Sequence, residues 1–154
     1  MDRPVLHAFV RALVEHERLA ELAEALPTRA RVSESALPLL LASLHERLEP
    51  ERGLVVLLPE DADARDAADG AAWFLGDEAV GLLPSRGVTW ESGLAPPPHL
   101  VGERARALHV LARGGLVCAS ARALAEGLPP AESRPEPIEL RAGAWARRVR
   151  PPMR

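Results

Sequence analysis

Three short apolar runs, each cut off by proline or by a polar residue, constrain this chain more than any other feature. Leu54-Val55-Val56-Leu57-Leu58 is opened by Gly53 and closed by Pro59, Glu78-Ala79-Val80-Gly81-Leu82-Leu83 ends at Pro84, and Leu116-Val117-Cys118-Ala119 follows Gly114-Gly115. A continuous apolar run without alternation is the pattern of a strand buried on both faces, and such strands belong to parallel sheets. Helical segments separate the runs. Glu60-Asp61-Ala62-Asp63 begins one that reaches about Leu75, its acids favoured by the positive end of the helix dipole. A second, Leu100 to Ala112, sets Leu100, Val101, Ala105, Leu108, Leu111 and Ala112 on one face, with Glu103, Arg104 and Arg106 off it. Ser120 caps a third and shorter one from Ala121 to Glu126. Strand, helix, strand, long loop, helix, strand, helix predicts an α/β fold: a parallel sheet with helices on both faces.

Upstream, Leu6, Phe9, Val10, Leu13 and Val14, then Leu19, Leu22, Ala23 and Leu26, recur at helical spacing that breaks near Glu17, so the segment is one bent helix or two short ones. Pro27 stops it, and Thr28-Arg29-Ala30-Arg31-Val32 is a candidate short extended segment. Ser33 or Ser35 then caps a helix carrying Leu37, Leu39, Leu40, Leu41, Leu44 and Leu48, with Pro38 tolerated in the first turn. Past Pro130 the composition changes. Ala131 to Pro137 is acidic and proline-rich, Pro137-Ile138-Glu139-Leu140 alternates as an exposed strand does, and Trp145 to Arg154 is basic without a packing pattern. The expected organisation is one α/β domain over residues 1–130, a linker with the start of something further over 131–140, and a disordered tail over 141–154.

Composition removes whole classes of chemistry. All 19 cationic residues are arginine, so Schiff-base enzymes, pyridoxal phosphate anchors and lysine-dependent phosphate loops cannot be built from this chain. The formal net charge is −3 and the signs are interleaved, which gives no basic stripe for strong DNA binding. Cys118, the single cysteine, excludes an internal disulfide and reads as a small core residue. His7, His16, His45, His99 and His109 never fall at metal-ligand spacing, so no metal site is expected. No apolar stretch approaches the ~20 residues of a membrane span, and the first residues lack a signal-peptide core, so a cytoplasmic protein is expected.

Four places are candidates for function. The turn Val32-Ser33-Glu34-Ser35-Ala36, between the candidate first strand and its helix, is where a phosphate loop would sit. It holds no glycine to admit a phosphate, no lysine to reach one, and an acid that repels one, so it reads as a plain helix start. The acids Glu60, Asp61 and Asp63 suit the dipole better than acid/base chemistry. Trp73-Phe74 closes an apolar helix and is expected to pack in the core. Trp90, in the Gly/Pro-rich stretch Ser85 to Pro98, either folds back on the core or is offered to a partner, and is the candidate partner contact.

The succession of these elements resembles the amino-terminal, UvrB-like domain of the bacterial transcription-repair coupling factors (Mfd). The resemblance rests on Val55-Val56-Leu57-Leu58-Pro59 with its acidic helix, then Ala79-Val80-Gly81-Leu82-Leu83-Pro84 and Pro96-Pro97-Pro98. It continues through Val101-Gly102-Glu103-Arg104-Ala105-Arg106-Ala107-Leu108 and Val117-Cys118-Ala119-Ser120-Ala121-Arg122-Ala123-Leu124, and ends at Leu128-Pro129-Pro130. It covers about half the chain closely and most of residues 1–140 more loosely. In the family, an ATP-driven DNA translocase at the carboxy-terminal end displaces stalled RNA polymerase, and UvrA is recruited for nucleotide excision repair. The resemblance therefore implies a P-loop NTPase-like half domain whose phosphate loop, at Val32 to Ala36, is degenerate. It implies no catalysis and no cofactor for this chain, ATP belonging to the motor domains, and it implies UvrA and RNA polymerase as partners of the full-length protein.

UvrB itself carries an aromatic-rich hairpin where this chain has Ser85 to Pro98, and one tryptophan is no stacking platform for DNA. The family continues with a UvrA-binding insert, whose first strand would be Pro137 to Leu140, and with a polymerase-interaction domain and a motor. On this reading the chain is a truncated product without UvrA affinity of its own, and its sheet has an open edge with uncovered apolar surface. Two other readings stay open: a fragment of a UvrB-like nucleotide-binding helicase subunit, and a free-standing α/β regulatory protein.

Overall fold

The structure, a computed structural model, describes residues 4–49, 51–128, 130, 132 and 134. The three apolar runs form strands β1 (Leu54–Leu58), β2 (Val80–Leu83) and β3 (Leu116–Ser120), all parallel, in the spatial order β1-β3-β2. Leu54 stands opposite Leu116 and Leu58 opposite Ser120 on one side of β3, while Val80 faces Leu116 and Leu83 faces Ala119 on the other. The central strand β3, with neighbours on both sides and layers on both faces, is buried at every residue, and so is β2.

Six helices surround this sheet among the described residues: α1 (His7–Val14), α2 (Glu17–Glu24), α3 (Leu37–Arg47), α4 (Asp61–Leu75), α5 (Pro98–Ala112) and α6 (Ala121–Ala125). The break near Glu17 makes two helices, and the His16 ring accepts the Arg18 N–H at 3.2 Å to start the second. Alternation sorts the sheet's side chains into two cores. Leu54, Leu116, Cys118, Val80 and Leu82 pack with Ala64, Ala67, Ala68 and Ala71 of α4, backed by Leu41 and Leu44 of α3. On the opposite face Val117, Ala119 and Leu83 pack with Ala107 and Val110 of α5 and Ala123 of α6. The alanines let α4 lie close to the sheet. Gly81 does the same for α5, because a Cβ there would fall 2.9 Å from the Ala107 Cα. No helix among the described residues is long and apolar enough to cross a membrane.

The structure corrects several sequence expectations. Thr28 to Val32 is irregular chain outside the sheet, because its alternating arginines offer no apolar face and no strand lies beside it to pair with. Strand β1 is buried on one face only: Val55 and Leu57 are 44% and 58% exposed, since the α5 layer covers β2 and β3 and stops short of β1. Trp73 is 72% exposed instead of in the core, because α4 turns its alanine stripe to the sheet and its indole away. In α5 the buried face is Ala107, Leu108 and Val110, with Val101 and Ala112 outside, since the small Ala107 is what fits over Gly81. Neither Ser33 nor Ser35 caps α3 with its side chain; the Ser33 carbonyl accepts the N–H groups of Ala36 and Leu37 at 3.0 and 3.1 Å. Most of the expected linker, the Pro137 to Leu140 strand and the disordered tail lie outside the described residues.

Candidate functional site

Open parallel sheets bind ligands in the crevice beyond the carboxyl ends of their strands, so that edge is where a site belongs. Each strand here delivers a polar residue to it. Strand β1 passes through Pro59 and Glu60 into α4 and places Asp61 in the first helical turn. Strand β2 leaves through Pro84 to Ser85, and β3 ends on Ser120. The three meet. Asp61 Oδ1 accepts the Ser85 N–H at 3.0 Å and the Ser120 hydroxyl at 2.6 Å, and Oδ2 accepts the Ser85 hydroxyl. Ser120 Oγ in turn accepts the Ala123 N–H at 3.0 Å and so caps α6, as its sequence position predicted. Burial of Asp61 raises its pKa, but the hydrogen bonds from Ser120 and Ser85 and the nearby Arg122 outweigh burial, and the carboxyl stays below the ordinary aspartate range.

A second set of groups closes the same edge from the α5 side. Arg104 reaches out of α5 and donates to the carbonyl oxygens of Pro84 at 2.6 Å, Gly127 at 2.9 Å and Ala123 at 3.4 Å. Its guanidinium lies 3.7 Å from Glu126, which also accepts the Arg86 N–H at 2.6 Å and lies 3.6 Å from Arg122. Burial lowers the Arg104 pKa and Glu126 opposes that shift. One forked cation thereby ties the exit of β2 to the helix after β3, a task that suits the planar guanidinium and not an ammonium.

This arrangement is built to hold, and its chemistry follows from its bonds. The hydroxyl protons of Ser85 and Ser120 are donated to a carboxylate that is ionised at neutral pH, so Asp61 acts as an acceptor and not as a proton donor. Cys118 lies beneath, fully buried, with its thiol pushed up to about 12 by burial, which keeps it protonated and unreactive. Among the described residues no group of three or more His, Cys, Asp or Glu is placed to hold a metal ion.

The sequence-predicted candidates are scattered. Val32 to Ala36 is an exposed to half-buried stretch entering α3 through a single 3₁₀ turn, Glu34–Ala36, with no strand feeding it. It lies away from the carboxyl edge, since Pro38 just after it packs against Gly70 in the second half of α4. Trp90 begins another 3₁₀ turn, Trp90–Ser92, and its side chain lies outside the described ones. Of the acids Glu60, Asp61 and Asp63, the first and last form a capping box, and Asp61 alone turns inward. Asp61, Ser85, Arg104, Ser120 and Glu126 escaped sequence reasoning as a cluster. The available signal was a polar residue within three positions of the end of each apolar run, Asp61 after Leu58, Ser85 after Leu83 and Ser120 after Ala119, since those positions mark the carboxyl edge. Comparison with protein-family models, with curated proteins and with solved structures found no match to the chain.

Proposed function

We propose that the chain is the first part of the UvrB-like amino-terminal module of a bacterial transcription-repair coupling factor and works as a non-catalytic scaffold. The observation that carries this reading is the order of parts. The segments that bear the resemblance fall on β1 and α4, on β2, on the start and body of α5, and on β3 with α6, in an unbroken series. On this reading the sheet is half of a P-loop NTPase-like layer, and the Val32 to Ala36 turn corresponds in sequence order to UvrB's nucleotide loop, with no strand feeding it and with its place away from the carboxyl edge. That turn offers Glu34 in place of a cation, and its Ala36 and Leu37 N–H groups already bond Ser33. The carboxyl edge, where a ligand would otherwise enter, is occupied by the Asp61 and Arg104 networks. UvrA and RNA polymerase are then partners of the full-length protein, and ATP is the ligand of its motor.

Two measurements test the proposal. Joined in frame ahead of the remaining domains of a coupling factor, in place of that protein's own first segment, the chain is expected to support displacement of stalled RNA polymerase. A chimera that is folded and retains its ATPase but leaves the polymerase in place refutes the scaffold role. ATP at millimolar concentration is expected to leave the melting temperature of the chain unchanged. A nucleotide bound at 100 times its Kd would stabilise the fold by about 2.7 kcal/mol, which favours the nucleotide-binding helicase reading instead.

A further inference from the structure

Strand β1 is open along one edge as well as on one face. The Leu54 N–H donates to the Gly115 carbonyl at 3.1 Å, and successive residues of a strand direct their backbone groups to opposite sides, so Leu54, Val56 and Leu58 serve the ladder to β3. Val55 and Leu57 turn theirs outward. No described residue bonds those two N–H and two C=O groups. The same two residues carry their side chains on the face that α5 does not reach, and both are exposed. Unpaired backbone and bare apolar side chains coincide on one short edge, and such an edge is a template for another strand.

The residues flanking β1 select the strand that fits. An antiparallel copy of β1, related by a two-fold axis through Val56, sets Val55 of each copy against Leu57 of the other. Both residues turn N–H and C=O outward, so each such pair exchanges two hydrogen bonds. Directly opposite residues share a face, so Val55 and Leu57 of the two copies make one apolar patch of cross-strand neighbours. The same register places Arg52 of each copy opposite Glu60 of the other, twice by symmetry. Both are exposed, and neither has an ion-pair partner among the described residues. Glu60 is still extended, at φ −121° and ψ 161°, before α4 begins. Centring the axis on Val55 would set Leu57 against Gly53, and centring it on Leu57 would set Val55 against Pro59, which has no N–H to give. Only the Val56 register satisfies the bonds, the apolar contacts and the charges together.

We propose that the chain forms a two-fold homodimer in which β1 pairs antiparallel with β1 of a second copy, joining the two three-stranded sheets into one. The contact is isologous, the same patch serving both copies, and it closes at two. The outward N–H and C=O groups of Val55 and Leu57 give it its bonds, their side chains its apolar centre, and Arg52 with Glu60 its register. The pairing belongs to the chain on its own and stands apart from the coupling-factor reading. In a chimera the following domains compete for the same edge, and a monomeric chain leaves the scaffold role untouched.

Sedimentation equilibrium of the full chain at about 100 µM is expected to give twice the 16.6 kDa chain mass, with a melting temperature that rises with protein concentration. Leu57→Arg, at an exposed position, is expected to return the monomer mass while far-ultraviolet circular dichroism is preserved. Should that variant fail to fold, the charges supply a second test. Arg52→Glu lies outside the strand and is expected to weaken the dimer about tenfold at low salt, because it turns two attractions into two repulsions. Adding Glu60→Arg is expected to restore the affinity to within about threefold of the parent, compared well below the melting temperature because that change also removes the capping box of α4. A monomer at about 100 µM overturns the proposal, as does a dimer unmoved by Leu57→Arg or a double variant no tighter than Arg52→Glu alone. Species that grow beyond two copies overturn it too, since a two-fold pairing leaves no β1 edge for a third.

Discussion

Removing the Asp61 carboxylate tests whether the carboxyl edge is a structural clasp. Asp61→Ala takes the acceptor from three donors at once, one of them the backbone N–H of Ser85, a residue only 5% exposed. That N–H cannot turn to another partner, and a buried donor left unsatisfied costs about 1–3 kcal/mol. The two hydroxyls can rotate, and Ser120 keeps its bond to the Ala123 N–H, so together they add about 1 kcal/mol. Loss of a negative charge from the first turn of α4 adds about 0.5 kcal/mol. The sum is about 2.5–4.5 kcal/mol, a large part of the stability of a domain this size, and corresponds to about 10 °C in melting temperature. Urea unfolding followed by circular dichroism measures it as a lower midpoint with an unchanged slope. The control is Asp63→Ala in the same turn, which breaks an exposed capping bond at 3.2 Å and is expected to cost about 1 kcal/mol. If the two variants differ by less than 1 kcal/mol, the clasp is refuted. The pH dependence carries a sign: a carboxyl lowered in the folded state makes the unfolded chain bind more protons in acid. The Asp61 contribution is therefore complete above the unfolded aspartate value, about pH 4, and lost as pH falls through the folded one. Asp61→Asn is expected to flatten the fall in stability over that acid window.

Two further outcomes follow from the same edge. Arg104→Lys keeps the charge but cannot span Pro84, Ala123 and Gly127 together, and is expected to lose about 2 kcal/mol in the same urea assay, where a loss under 0.5 kcal/mol contradicts the forked tie. Cys118, fully buried and with its thiol near 12, is expected to stay unreactive toward a disulfide reagent at pH 8 until denaturant is added, and fast labelling of the native protein contradicts that burial.

How much of this was legible in the sequence depended on whether the signal was local. The three strands, their parallel arrangement and the Ser120 cap are written in contiguous residues, because continuous apolar runs and a polar residue at a helix start act over a few positions. The failures needed information from elsewhere in the chain. Val55 and Leu57 carry the same apolar pattern as the buried residues of β3, and their exposure comes only from β1 being an edge strand that α5 does not reach. Trp73 is hydrophobic enough for a core, yet four alanines on the adjoining face of α4 fit the sheet more closely, and that choice is made by the flat surface they meet. Asp61 shows the limit most clearly. Beside Glu60 and Asp63 it looks like one of three solvated acids, and its distinction arises from Ser85 and Ser120, which lie 24 and 59 residues further along and are brought to it by the strand order. A carboxylate next to two serines in space would ordinarily invite a catalytic reading. Here each hydroxyl gives its proton to the carboxylate, and one of them caps the next helix, so the same three side chains join the ends of three strands and leave the edge closed.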